Sequence, residues 1–202
     1  MSGWLRISVV CLAAASCTPE ITDGSYFCGP NRGCPERQQC SNLTFTCVQP
    51  DTVRDFECPV DSELAEPDDS REQAVDVGDT QCGTFSVSER PGCLPSADDQ
   101  DWLRFFHDQG CAGDNERVLI SARYPTAFAE VSIMVTDDTG TVVAESENCT
   151  GGEDFTGRQI SCLELDPNVG QEYFVRVQLS DSGNCSGDCA FNQYDLDLRT
   201  EL

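Results

Sequence analysis

Cysteine is the densest chemistry in this sequence, with fourteen in 202 residues, at positions 11, 17, 28, 34, 40, 47, 58, 82, 93, 111, 149, 162, 185 and 189. Thiols form disulfides, ligate metals or act as nucleophiles, and each use demands different surroundings. Cytosolic thiols are kept reduced, so this many in a short chain point to an oxidising compartment and to pairing. Zinc would want a Cys-x2-Cys pair or a neighbouring histidine, and neither stands near the run of four cysteines at 28–47. The single histidine, His107 in WLRFFHDQGC, falls at the end of an expected strand, where packing or a surface position accounts for it. No G-x-S-x-G elbow, H-E-x-x-H helix, phosphate loop or dinucleotide fingerprint occurs. Two acids working as a glycosidase leave no sequence signature, but nothing here marks a cleft for them. The chain reads as non-catalytic.

The N-terminus bears on how those cysteines are used. MSGWLR carries one arginine, ISVVCLAAAS is short and apolar, and Cys17 follows. A run this short is a signal-peptide core and not a membrane span. Ala14-Ala15-Ser16-Cys17 resembles a bacterial lipobox, where cleavage exposes a cysteine that receives diacylglycerol and fatty acid such as palmitate. It departs from that pattern at Ala14, where leucine is usual. Cysteine parity supports the same reading independently. Cys11 leaves with residues 1–16 and acylation takes Cys17, so twelve remain for pairing. Secretion without acylation leaves thirteen, an odd thiol. Thr18 stands where an aspartate would retain such a protein at the inner membrane, so the expected location is the outer membrane.

All 12 basic residues are arginine; 36 acidic residues leave a formal charge of -24 and a pI near 4.1. The absence of lysine reads as the codon bias of a GC-rich bacterial genome. Such a surface repels nucleic-acid phosphates and anionic headgroups. Most of these carboxylates form a solvated surface, and only clustered ones are candidates for a cation.

The chain divides into a signal peptide (1–16), a polar tether (17–27), a small cysteine-rich module (28–47), a linker (48–60) and a larger domain (61–202). In the module, CGPNRGCPERQQCSNLTFTC encloses little core and depends on its bridges. Four cysteines allow three pairings. The interleaved one, Cys28–Cys40 with Cys34–Cys47, resembles small knottin-like modules. In the larger domain, short alternating segments separated by turn residues predict antiparallel strands near 81–87, 101–107, 116–124, 130–136, 141–146 and 159–165. EYFVRVQL places Tyr173, Val175, Val177 and Leu179 on one face and Arg176 and Gln178 on the other. YDLDLR does the same with Tyr194, Leu196 and Leu198. VTDDTGTVVAES predicts a hairpin turning at Asp137, Asp138 and Gly140. A single helical turn is expected at SREQAV. Cys82–Cys93 and Cys149–Cys162 are plausible local bridges among the 105 pairings that eight cysteines permit.

Five segments then line up in order: EPDD (66–69), DQDWLRF (100–106), VTDDTGTVVAES (135–146), GQEYFVRV (170–177) and YDLDL (194–198). Together they make residues from about 58 to 202 resemble the bacterial pre-peptidase C-terminal domain, related to collagen-binding domains of clostridial collagenases. The resemblance implies an all-β fold, an antiparallel jelly-roll-like β-sandwich without catalysis of its own, here preceded by the small disulfide-knotted module. It also implies a calcium site. Calcium-binding members use an E-x-N/D-D stretch and a D-x-x-D-W stretch, matched here by Glu66, Asp68 and Asp69, then by Asp98 and Asp101 before Trp102. Oxygen-only ligands of flexible geometry suit calcium better than zinc or magnesium. A further glutamate of the family pattern is replaced by Leu64. No peptidase domain is present, so collagen is not carried over as a substrate.

The expected role is a surface lipoprotein that binds the membrane through its anchor and presents the sandwich to a polysaccharide or protein ligand. The alternative is a structural subunit of an envelope or secretion complex. Trp102 looks like a core residue, and Phe128 in YPTAFAE is the one exposed-looking aromatic, with a loop anchor packed under the sheet as its other role.

Overall fold

Alternation with a period of two is the dominant local signal, and in the computed structural model it becomes strand. That model describes residues 22–50, 56–58, 67–81, 85–109, 116–153, 158–180 and 190–201. Two short strands, β1 (Gln39–Cys40) and β2 (Cys47–Val48), belong to the N-terminal module. The remainder are β3 (Val75–Gln81), β4 (Phe85–Leu94), β5 (Gln100–Gln109), β6 (Arg117–Pro125), β7 (Val131–Asp137) and β8 (Val142–Glu145). They are followed by β9 (Glu147–Glu153), β10 (Arg158–Leu165), β11 (Gln171–Leu179) and β12 (Asn192–Glu201).

These ten strands make two five-stranded sheets, ordered β4-β12-β6-β10-β9 and β3-β5-β11-β7-β8. The chain passes from one sheet to the other at most connections, giving a jelly-roll-like β-sandwich. Inward side chains supply one core, from Leu103, Phe105, Ile133, Val175 and Val177 on one sheet and Leu94, Ile120, Leu163, Leu196 and Leu198 on the other. Tyr173, Val175, Val177 and Leu179 are all buried on β11, as are Tyr194, Leu196 and Leu198 on β12. The β7–β8 turn has Gly140 at φ 87°, and the Asp137 carboxylate accepts from the Thr139 and Thr141 amides. The Thr139 hydroxyl, which donates to the same carboxylate, and then these amides hold the Asp137 carboxyl below its ordinary pKa. The SREQAV turn is one 3-10 turn, Arg71–Gln73. Arg71 donates to the Asp137 carbonyl and lies over the Phe174 ring, tying this turn to the second sheet.

The expected antiparallel sandwich stands, with three differences in detail. The strand placed at 81–87 falls across the ends of two separate strands, Val75–Gln81 and Phe85–Leu94. Gly78, Pro91 and Gly92 hid them, and both strands lie at sheet edges, where a missing donor is tolerated. The sheets are not wholly antiparallel, since β3 runs parallel to β5. β3 can join β5 that way because β4 intervenes in the other sheet. Third, Cys93 pairs with Cys58 and not with Cys82. It stands near the far end of β4, and at about 3.3 Å per residue the strand carries it well away from Phe85 at its start. The side chain of Cys149 and residues 82, 111, 185 and 189 lie outside the described parts, as do residues 1–21 and Glu66. Cys162 is disulfide-bonded.

The module carries the interleaved bridges Cys28–Cys40 and Cys34–Cys47. Residues 24–27, expected in the tether, are already bound to it: Gly24 donates to Cys47, Cys47 donates to Tyr26, and Phe27 pairs with Thr46. The module is also seated on the sandwich. Phe45 meets Phe128 edge-on at 4.8 Å between centroids, and Phe56 from the expected linker stacks on Phe191 at 4.2 Å. Phe128 is therefore the buried loop anchor, 2% exposed.

Truncating that anchor should be costly. Phe128→Ala is expected to lower unfolding free energy by about 3–5 kcal/mol, as other buried phenylalanines do, read from the denaturant midpoint. Alkaline pH supplies a second measurement. Burial pushes the Tyr124 hydroxyl up to about 12, although the Ser161 hydroxyl, 3.2 Å away, opposes the shift and Glu130 adds to it. A phenol with a raised folded-state pKa contributes stability that is fully present below about pH 10 and lost as pH rises toward 12. That loss is about 2–3 kcal/mol at about 1.4 kcal/mol per unit. Stability that stays flat between pH 10 and 12 contradicts the assignment, and Tyr124→Phe should remove this part of the loss.

Candidate metal centre

The acidic residues singled out by sequence come from two loops that the fold brings to one end of the sandwich. Asp68 lies just before the 3-10 turn, and its carbonyl accepts the Trp102 amide at 3.0 Å. That bond docks the 67–70 segment onto the start of β5. Asp68 is fully buried, with both carboxylate oxygens inside. Asp101, the second residue of β5, points inward and is 2% exposed. Asp69 and Asp98 are exposed.

Tyr194 links these acids to the other sheet. Its hydroxyl donates to Asp101 Oδ2 at 2.5 Å, so the bond spans the gap between β12 and β5. Burial raises the Tyr194 pKa well above 10, and the carboxylates of Asp101, Asp68 and Asp99 raise it further. The Tyr194 ring lies over Gly92, its cross-strand partner on β4. A Cβ there would stand 2.1 Å from Tyr194 Cζ, so only glycine leaves room.

Asp99 and Tyr194 were not among the residues chosen from sequence. Parity would have found Asp99: it shares its face with Asp101, Leu103 and Phe105, whereas Asp98 falls on the opposite one. Trp102 shares that opposite face, so it is half-buried on the outside of the sheet, with Arg176 5.6 Å above its ring. The core reading of Trp102 is thus corrected by simple alternation.

The donor set suits a hard cation, being oxygen only and supplied by buried carboxylates with a phenol beside them. Among the described residues no three of these carboxylates bring oxygens within 4.8 Å of one another. The Cys28, Cys34 and Cys47 sulfurs do lie that close, but each is in a disulfide and offers no thiolate.

His107 has hydroxyl and carboxylate neighbours in relay order. Its Nδ1 is 2.8 Å from Thr80 Oγ1, and its Nε2 is 3.5 Å from Glu116 Oε2. Both Thr80 and His107 are fully buried, so neither faces a substrate. The contact joins β3, β5 and the start of β6 as a structural clasp. A cleft of about 250 Å³ opens elsewhere, at the ends of β7, β10 and β11, lined by Asp137, Glu164, Asp166, Gln171 and Tyr173 and by Val143.

Gly92→Ala should displace the Tyr194 ring and cost about 1–3 kcal/mol, as overpacking does. Tyr194→Phe keeps the ring but strips a donor from a buried carboxylate, for about 1.5–3 kcal/mol. Equilibrium unfolding measures both, and a neutral Gly92→Ala would remove the proposed seating of the ring.

Comparison with protein-family models gives no match for this chain, and no curated protein matches it either. Among solved structures it is similar to the pre-peptidase C-terminal domain of a collagenase from Bacillus anthracis, at 14% identity and a TM-score of 0.38, over 68% of this chain and 99% of that one.

Proposed function

We propose that this chain is an exported, non-catalytic lipoprotein, anchored through Cys17, that displays a calcium-binding β-sandwich to a protein ligand or envelope partner. One observation carries the export: all seven cysteines whose side chains are described, Cys28, Cys34, Cys40, Cys47, Cys58, Cys93 and Cys162, are disulfide-bonded. Bridges of that number persist only where thiols are not held reduced. With Cys11 removed and Cys17 acylated, the rest of the chain holds an even number of cysteines. The outer membrane follows from Thr18.

Calcium accounts for the buried carboxylates. Asp68, Asp99 and Asp101, with Glu66 and Asp69 from the same two loops, would hold the ion, and Asp98, on the opposite face, would not; bound there, the ion would neutralise acids that otherwise repel one another. Catalysis has no support from the buried Thr80–His107–Glu116 contact. Polysaccharide is the weaker ligand, because among the described sandwich residues Phe106 is the only aromatic with substantial exposure. A sugar platform wants several. The cleft beside Tyr173 favours a partner with basic and apolar side chains, since its lining is acidic and Val143 and nearby Val169 are exposed. A structural subunit of an envelope complex would use the same face.

Two measurements test the reading. Mass spectrometry of native protein should find acyl mass on Cys17 and no alkylatable thiol among the other mature cysteines; several free thiols would sink the export argument. Calcium at about 100 times its dissociation constant should add about 2.7 kcal/mol of stability over chelator. Asp101→Asn should abolish most of that gain, and an unchanged melting temperature in wild type would dismiss calcium.

A further inference from the structure

The N-terminal module has a surface at odds with the rest of the molecule. Tyr26 is 54% exposed and Phe27 46%, two adjacent aromatics on the segment that pairs with β2. Leu43, in the turn between β1 and β2, is 37% exposed. The module is only 22–50 plus the Phe56 contact, so three large apolar side chains in water are a substantial share of its surface. The disulfides explain why they can stay there: the bridges and the Phe45 seam hold the module without needing them inside.

Charge separates the module from the sandwich even more sharply. Residues 22–50 contain two acids (Asp23, Glu36) and two arginines (Arg32, Arg37), so the module is neutral, and residues 51–202 carry a formal charge of -24. An anionic bilayer therefore repels the sandwich and leaves the module indifferent. Distance completes the argument. Cys17 and Thr22 are five residues apart, a reach of at most about 18 Å when fully extended. A module so tethered cannot leave the vicinity of the headgroups.

We propose that the module docks on the bilayer surface through Tyr26 and Phe27, with the acidic sandwich held outward. The occupant of this apolar face is lipid. Aromatic rings with one polar edge favour the interfacial zone, and shallow insertion adds a second attachment to a single acylated residue. The inference rests on acylation of Cys17, as set out above, and fixes an orientation that acylation alone leaves free. The module's aromatic seam with Phe128 and Phe191 then transmits that orientation to the sandwich.

The test uses the full acylated protein, purified from membranes and reconstituted in vesicles of zwitterionic and anionic phospholipid containing brominated chains. With Trp4 removed alongside the signal, Trp102 is the only tryptophan of the mature wild type. Phe27→Trp adds a reporter at an exposed position, where the fold is not at stake. Docking predicts that brominated lipid quenches at least about half of the added emission while Trp102 in wild type changes by less than about a tenth, as expected for insertion of one face only. Acylated protein with no extra quenching at position 27 overturns the docking and leaves the anchor standing. Equal quenching of both tryptophans overturns the outward orientation. Absence of acyl mass on Cys17 overturns the anchor itself, and the docking with it.

Discussion

Holding carboxylates inside one end of an apolar sandwich is the constraint to which the rest of this molecule answers. Taking an ion out of water costs several kcal/mol even after relaxation, and three such groups are buried here. Asp68, Asp99 and Asp101 are each under 10% exposed. Several features make sense as responses. The Tyr194 hydroxyl crosses from the opposite sheet to donate to Asp101. Gly92 gives up its side chain so that the ring can lie flat. The Trp102 amide fixes the loop that carries Asp68. The Tyr194–Asp101 bond also joins the two sheets, which hydrophobic packing alone would leave free to slide.

The opposite strategy governs the N-terminal module. It is too small to bury a core of its own, and two interleaved disulfides replace one. Those bridges free its apolar side chains for other contacts. Phe45 is used against Phe128 of the sandwich, while Tyr26 and Phe27 are left outside. Cys58–Cys93 then pins the connecting segment to the edge strand β4, whose Pro91 and Gly92 pair less firmly than an ordinary strand would. A covalent bond thus stands beside the part of the sheet where backbone hydrogen bonding is weakest.

How much of this could be read beforehand depended on the range of the interaction. Alternation is local, so β11, β12 and the β7–β8 hairpin were legible, down to which side chains point inward. The same alternation, applied to DDQDW, would have placed Asp99 inside and Trp102 outside. There the family-like spacing of Asp98 and Asp101 drew attention away from parity. Edge strands were hidden because Gly78, Pro91 and Gly92 lower their intrinsic propensity while position in the sheet makes those residues acceptable. Sheet position is a tertiary fact. The Cys58–Cys93 bridge and the Phe56–Phe191 stack were invisible for the same reason, each joining segments that share no local signal.

Charge and covalent topology combine at the largest scale. A sandwich carrying nearly all the net charge of a -24 chain is pushed away from any anionic surface, whereas a neutral module on a five-residue tether is not. If the two parts were joined flexibly, repulsion would merely extend the linker. Phe45, Phe56, Phe128 and Phe191 make the joint an aromatic seam, so the same repulsion acts as a torque on one body and sets which face looks outward. Screening limits its range to about 8 Å at physiological salt. That is enough only because the tether keeps the module near the headgroups. The acidic surface, which by itself argues against membrane contact, becomes the means of orienting a protein already held there.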